Sequence, residues 1–117
     1  MLSTKHRFHG YGSLRYVYRH GQTVRGPLFA IKYQLNPKRE DYRLAVVISR
    51  KVAKSAVKRN RIRRRLFEIV RQQAPQINAP YDMVINVFHD SVRETPAAEL
   101  AHQVKRQLKQ AGIITKK

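Results

Sequence analysis

Between Arg50 and Arg71 the chain carries ten basic residues against the single acid Glu68. They are Arg50, Lys51, Lys54, Lys58, Arg59, Arg61, Arg63, Arg64, Arg65 and Arg71. The apolar residues threaded among them, Ile62, Leu66, Ile69, Val70 and Ala74, recur at steps of three and four. That is the spacing of one helix face. A helix starting between Lys54 and Lys58 and ending near Gln73 satisfies both patterns. At about 100° per residue, Arg64 and Arg71 point away from the apolar stripe, and Asn60, Arg61 and Arg63 lie on its flanks. Like charges meet at i, i+4 in Arg59/Arg63 and Arg61/Arg65, which disfavours such a helix alone. The rest of the chain must therefore supply an apolar surface that holds it by one side, leaving a guanidinium array on the other.

The whole chain repeats this imbalance. Its 117 residues hold 25 Lys and Arg against 7 acids, a net charge of +18. So basic a compact chain repels itself until a polyanion neutralises it. Nucleic acid is favoured, because each neutralised phosphate releases condensed counterions. A membrane surface would call for an added amphipathic or lipid anchor. A nuclear-localisation signal fits the charge but needs no apolar stripe. Guanidinium forks bind phosphate bidentately and stack on bases. Asn60 adds a donor and an acceptor suited to a sugar 2′-OH or a base edge.

Length argues for one domain over residues 1–117, with 1–12 a basic, partly irregular lead-in and 113–117 a basic tail. Hydrophobic residues make up 42% of the chain, enough for a modest core. With no Cys, disulfides and thiolate chemistry are excluded. The N-terminal Met1-Leu2-Ser3-Thr4-Lys5-His6-Arg7 lacks the apolar region of a signal peptide. No apolar run reaches the length of a membrane span. A soluble, cytoplasmic protein is expected.

Ser13 reads as an N-cap, with Leu14, Val17 and Tyr18 on one face of a short helix and Gly21 as its stop. Residues 28–35 and 42–49 read as strands joined by the polar turn 36–41, a β-hairpin. A short strand at Thr23-Val24-Arg25 fits before Gly26-Pro27. Residues 81–89 form another strand, which the preceding helix would place as a parallel neighbour in a βαβ unit. Thr95 reads as an N-cap with Pro96 at the first helical position. Ala97, Leu100, Ala101, Val104, Leu108 and Ala111 line the last helix before Gly112. The order predicts an α+β sandwich with helices packed on one sheet.

No catalytic set emerges. Glu40, Asp41, Glu68, Asp82, Asp90, Glu94 and Glu99 are scattered, without the pairing of two-metal phosphoryl chemistry. His6, His9, His20, His89 and His102 form no ligand cluster, and the terminal pair His6/His9 lacks a closed site. Ser49 and Ser91 lack an evident base. No catalytic residue, metal site or protein-bound cofactor is expected.

The run Ala56-Val57-Lys58-Arg59-Asn60-Arg61-Ile62-Arg63-Arg64-Arg65-Leu66-Phe67-Glu68 resembles the signature of the bacterial ribonuclease P protein component. Arg59 to Arg64 match it position by position, whereas the family usually has a basic residue in place of Phe67. Leu14 to Gly21 resemble the family's first helix and its terminating Gly. Phe29-Ala30-Ile31 resembles its early strand, and Val47-Ile48-Ser49-Arg50-Lys51 the strand leading to the signature. The resemblance covers about residues 5–112. It implies an α/β sandwich similar to the second domain of ribosomal protein S5, with a left-handed βαβ crossover against the general preference. It implies a subunit of ribonuclease P, the endoribonuclease that uses Mg²⁺ held by its catalytic RNA to remove the 5′ leader of precursor tRNA. The partners implied are that RNA, in a 1:1 complex, and precursor tRNA.

Two surfaces follow from the resemblance. Arg50, Lys51, Lys54, Lys58, Arg59, Asn60, Arg61, Arg63, Arg64 and Arg65 would face the catalytic RNA. A cleft between the sheet and the first helix would hold the single-stranded leader, combining cations with stacking surfaces. Phe8, Leu14, Arg15, Tyr16, Tyr18, Lys32 and Tyr33 are its candidates by position. Family members commonly have Phe at the positions of Tyr18 and Leu14. Each aromatic serves equally well as core. Two other readings share the charge. A ribosomal scaffold protein would travel with ribosomal subunits, and a DNA-binding helix-turn-helix would need two helices joined by a short turn, where here a strand follows Pro80.

Overall fold

The computed structural model describes residues 6, 8, 11–77 and 79–114, with backbone only at 11–13. Within them the chain runs α1 (Tyr11–His20), β1 (Gln22–Arg25), β2 (Phe29–Leu35), β3 (Arg43–Ile48), α2 (Ala56–Gln73), β4 (Tyr81–Val87) and α3 (Ala97–Ala111). Short 3-10 turns sit at Ala74–Gln76 and Asp90–Arg93. No described helix is long and apolar enough to cross a membrane.

The four strands form one sheet in the order β1-β2-β4-β3. β1 and β2 are an antiparallel hairpin across Gly26-Pro27, and β4 is antiparallel to β2. β3 pairs parallel to β4, so β3-α2-β4 is the βαβ unit that the sequence predicts. The predicted hairpin between residues 28–35 and 42–49 does not form, because β4 lies between those strands. Its run Met83-Val84-Ile85 is at most 1% exposed on either face. A strand apolar on both sides belongs in the centre of a covered sheet.

One face of the sheet carries Phe29, Ile31, Leu44, Val46, Ile48, Met83, Ile85 and Val87, and α2 and α3 cover it. Ile62, Leu66, Ile69 and Val70 of α2 interlock with Leu100, Val104 and Leu108 of α3 above these strands. The stripe read from the sequence is thus the buried one. Phe67, the departure from the family pattern, is half-buried and adds its ring to this cluster. Ile113 and Ile114 are also in the core, and Ile114 bridges Ile77. The basic tail therefore begins after them, outside the described residues. α1 lies on the opposite face against β2 and β4, and its Val17 is 1% exposed.

Helix ends differ from the predictions by one or two residues. α1 begins at Tyr11, ahead of Ser13. Ser55 caps α2 by accepting from the Lys58 N–H at 3.4 Å. α3 begins at Ala97 with Pro96 at its cap, one residue later than predicted. Thr95 belongs to the preceding turn, since its N–H and its Oγ1 both donate to the Ser91 carbonyl, at 2.9 and 2.8 Å. Ala97 is exposed rather than packed. Gly112 takes the left-handed conformation, φ 77°, that ends α3. Gly21 does not have a positive φ; it is needed for room. A Cβ there would lie 2.5 Å from the Val17 carbonyl oxygen and 2.9 Å from that of Tyr33.

Candidate nucleic-acid interface

The first turns of α2 and the loop before them form one cationic surface. Arg50, Lys51, Lys54, Lys58, Arg61 and Arg64 are all exposed and make no side-chain hydrogen bond or ion pair among the described residues. The other three arginines of the signature turn inward. Arg59 donates to the carbonyls of Ala53 and Lys54, both at 2.9 Å, closing the β3–α2 loop against its own helix. The Nε of Arg63 donates to the Val46 carbonyl at 3.3 Å, on the outer edge of β3, which has no strand beyond it. Arg65 donates to the carbonyls of Val92 and Thr95 beyond β4. Asn60 is exposed, and its Oδ1 accepts from Arg63 at 3.3 Å, which leaves the amide N–H groups facing solvent. Arg71 pairs with Glu68 on the far turn of α2. Its guanidinium holds the Glu68 carboxyl below the ordinary carboxylate range.

On the opposite face a groove of about 300 Å³ runs beside α1. Two of the cleft candidates, Tyr18 and Lys32, line it. The Tyr18 hydroxyl donates to Asn86 Oδ1 at 2.8 Å, and the Lys32 ammonium stands 5.4 Å from the Tyr18 ring centre. Burial pushes the Tyr18 phenol above its ordinary value, so it remains a donor at neutral pH. Arg25 and Phe88 line the same groove, with the guanidinium 5.3 Å from the ring centre and Phe88 40% exposed. Sequence reasoning missed Arg25, Asn86 and Phe88. Asn86 left a legible sign, a lone amide inside the apolar run 83–88.

The remaining cleft candidates scatter. Tyr33 is on the α2/α3 face, edge-on to Tyr81 at 6.2 Å, with its hydroxyl donating to Gln22. It does not join the groove, because its parity along β2 matches Phe29 and Ile31 rather than Lys32. Tyr16 opens on a second cavity, about 520 Å³, with Lys38, Arg43 and Asp82. Phe8 covers the Arg43 guanidinium of that region at 4.6 Å. Leu14 is half-buried, and Arg15 is exposed with no partner among the described residues.

Acids and histidines do not assemble. Among the described residues no three His, Asp or Glu side chains come together as a metal site. Asp82, Glu68 and Glu94 are in ion pairs with Arg43, Arg71 and Arg93. His6 stacks on Tyr42 at 4.0 Å and bonds the Tyr42 carbonyl through Nδ1, while His9 lies outside the described residues.

The ribonuclease P protein component of Chloroflexus aurantiacus is 35% identical over 100 residues, spanning 86% of this chain and 73% of its own. That of a Picosynechococcus species is 33% identical over 113 residues, 97% of this chain and 96% of its own. The family model described as "Ribonuclease P" matches residues 2–112. The chain belongs to the ribonuclease P protein family. The fold agrees. The structure of the Staphylococcus aureus RNase P protein superposes with a TM-score of 0.82 at 20% identity, covering 94% of this chain and 98% of that one. A ribonuclease P protein component takes part in tRNA processing together with an RNA subunit.

Proposed function

We propose that the α2 surface binds the catalytic RNA of ribonuclease P, and that the α1-side groove holds the 5′ leader of precursor tRNA. The complex is 1:1 and cytoplasmic. The protein contributes binding and placement, and the RNA carries the Mg²⁺-dependent hydrolysis. One observation carries the reading. Six exposed cations, Arg50, Lys51, Lys54, Lys58, Arg61 and Arg64, have no partner within the described protein and cluster at one end of α2.

Cations without internal partners keep their full capacity for phosphate, and each phosphate bound releases counterions. Asn60 offers its free N–H groups between them to a 2′-OH or a phosphate oxygen. In the groove, Lys32 and Arg25 supply charge while Tyr18 and Phe88 supply ring faces, the composition of a single-strand site. The groove lies at the carboxyl end of the parallel pair β3 and β4, where the loop carrying Arg50, Lys51 and Lys54 also departs. This topology would bring leader and catalytic RNA to one end of the sheet.

The test is precursor-tRNA cleavage by bacterial catalytic RNA at low Mg²⁺, with and without the chain. The chain should stimulate cleavage, and its RNA affinity should fall steeply with salt. Replacing Lys58, Arg61 and Arg64 together with Ala should flatten the salt dependence by about 0.7–0.9 in log–log slope for each phosphate left without its cation. A chain that does not stimulate cleavage refutes the proposal.

A further inference from the structure

Arg65 stands on α2 between Arg64, which is exposed, and Leu66, which is fully buried. A sequence count makes it one more phosphate ligand. Its geometry is different. Nη1 donates to the Val92 carbonyl at 2.6 Å, and Nη2 donates to the Thr95 carbonyl. These acceptors belong to the turn Asp90–Arg93 and the two residues after it, which join β4 to α3. The last carbonyls of a helical turn lack internal partners and carry partial negative charge. A planar fork meets the Val92 carbonyl within that turn and the Thr95 carbonyl two residues past it, and a lysine ammonium has no such fork. The acceptors are held firmly in turn. Val92 is fully buried, and Thr95 bonds Ser91 through both its N–H and its hydroxyl.

We infer that Arg65 is a positioning residue for RNA binding. Its guanidinium is engaged within the protein, tying α2 to the β4–α3 connection. That tie fixes the roll of α2 about its apolar stripe. Roll decides whether Lys58, Arg61 and Arg64 face the phosphates together. Arg63 ties the same helix to the edge of β3, so α2 is held from two separate elements. The inference rests on α2 being the RNA-binding face.

The experiment compares the full chain with R65K, R65M and R64A. Affinity for the catalytic RNA is measured across a salt series, together with melting temperature and amide exchange over residues 90–95. R65K keeps the charge and loses the fork. R65K and R65M should both weaken binding by about tenfold, the scale of charge-assisted hydrogen bonds removed. Their salt slope should stay unchanged, their melting temperature should fall by about 5 °C, and amides 90–95 should exchange faster. R64A should flatten the slope by about 0.7–0.9 and melt as the parent does.

R65K binding like the parent while R65M loses slope would overturn the inference, since charge alone would then suffice. Unchanged exchange over 90–95 in R65K would overturn it too. So would outright unfolding of R65K at 20 °C, which a local tie cannot explain. If R64A and the Lys58/Arg61/Arg64 triple variant leave the slope untouched, the RNA-face reading fails instead. The melting and exchange effects of R65K would remain, so the two failures are distinguishable.

Discussion

Removing the carboxylate of Asp82 should cost this fold about a third of its stability. Asp82 on β4 stands directly opposite Arg43 on β3 in the parallel register. The guanidinium reaches both carboxylate oxygens, at 2.8 and 2.7 Å, with each side chain only 7% exposed. Asn36 adds a bond to the same carboxylate at 3.0 Å, and the Phe8 ring covers the guanidinium. In Asp82→Ala the Arg43 charge stays buried without its carboxylate. Breaking a buried pair from one side costs about 3–5 kcal/mol, against a total of about 5–15 kcal/mol for a domain. For a chain of this size that lowers the melting temperature by about 10–20 °C. Circular dichroism melts and urea unfolding measure both. The double variant Arg43→Met/Asp82→Leu should recover most of the loss, because it removes the buried charge together with its carboxylate. A single-variant cost under about 1 kcal/mol would refute the reasoning. So would a double variant that costs the sum of both singles.

Three further outcomes are expected. Gly21→Ala should destabilise by about 1–3 kcal/mol in urea unfolding, because the new Cβ meets two backbone oxygens, at 2.5 and 2.9 Å, that cannot both retreat; a loss below about 0.5 kcal/mol would show that the end of α1 gives way. Tyr18→Phe should cost about 0.5–1.5 kcal/mol by leaving Asn86 without its donor. It keeps the ring over Lys32, so the preference for leader-bearing over leaderless tRNA should survive in Tyr18→Phe and drop in Tyr18→Ala; equal loss in both would remove stacking from the account. Glu68 has a folded value below its ordinary 4.5, with the Arg71 hydrogen bond as the first cause. Its contribution is therefore present above 4.5 and lost as pH falls through the lowered value. Glu68→Gln should erase that acid-side part of the stability profile and leave neutral RNA binding intact, as read from melts between about pH 7 and 3.

Much of the fold was legible because local rules govern it. The α2 stripe, the β3-α2-β4 unit and the stop at Gly112 each rest on spacing or turn chemistry within a few residues. Strand order was not legible at the β2–β3 connection. A polar six-residue turn between two apolar runs looks like a hairpin, yet the run Met83-Val84-Ile85 outcompetes it for the centre by burying both faces. Tyr33 was misplaced for a related reason. Strand parity says that it opposes Lys32, but not which face receives α1.

The candidate site divides along the same line. Sequence by itself determined that the chain carries a one-sided cationic helix in the pattern of the ribonuclease P protein family. Composition and a 3.6-residue period are properties of the chain alone. Only the tertiary structure decided which cations are available. A helical projection points Arg64 away from the apolar stripe but puts Arg61 and Arg63 alike on its flanks, so it does not tell which of these arginines is engaged within the protein. Arg59, Arg63 and Arg65 differ in having backbone carbonyls within reach: Ala53 and Lys54 for Arg59, Val46 for Arg63, and Val92 and Thr95 for Arg65. A guanidinium near an unpaired carbonyl bonds it, and one without such a neighbour stays open to phosphate. For Arg59 that neighbour is the adjoining loop, but for Arg63 and Arg65 it comes from segments 17 to 30 residues away in sequence, so it exists only once the sheet and the β4–α3 connection have folded around α2.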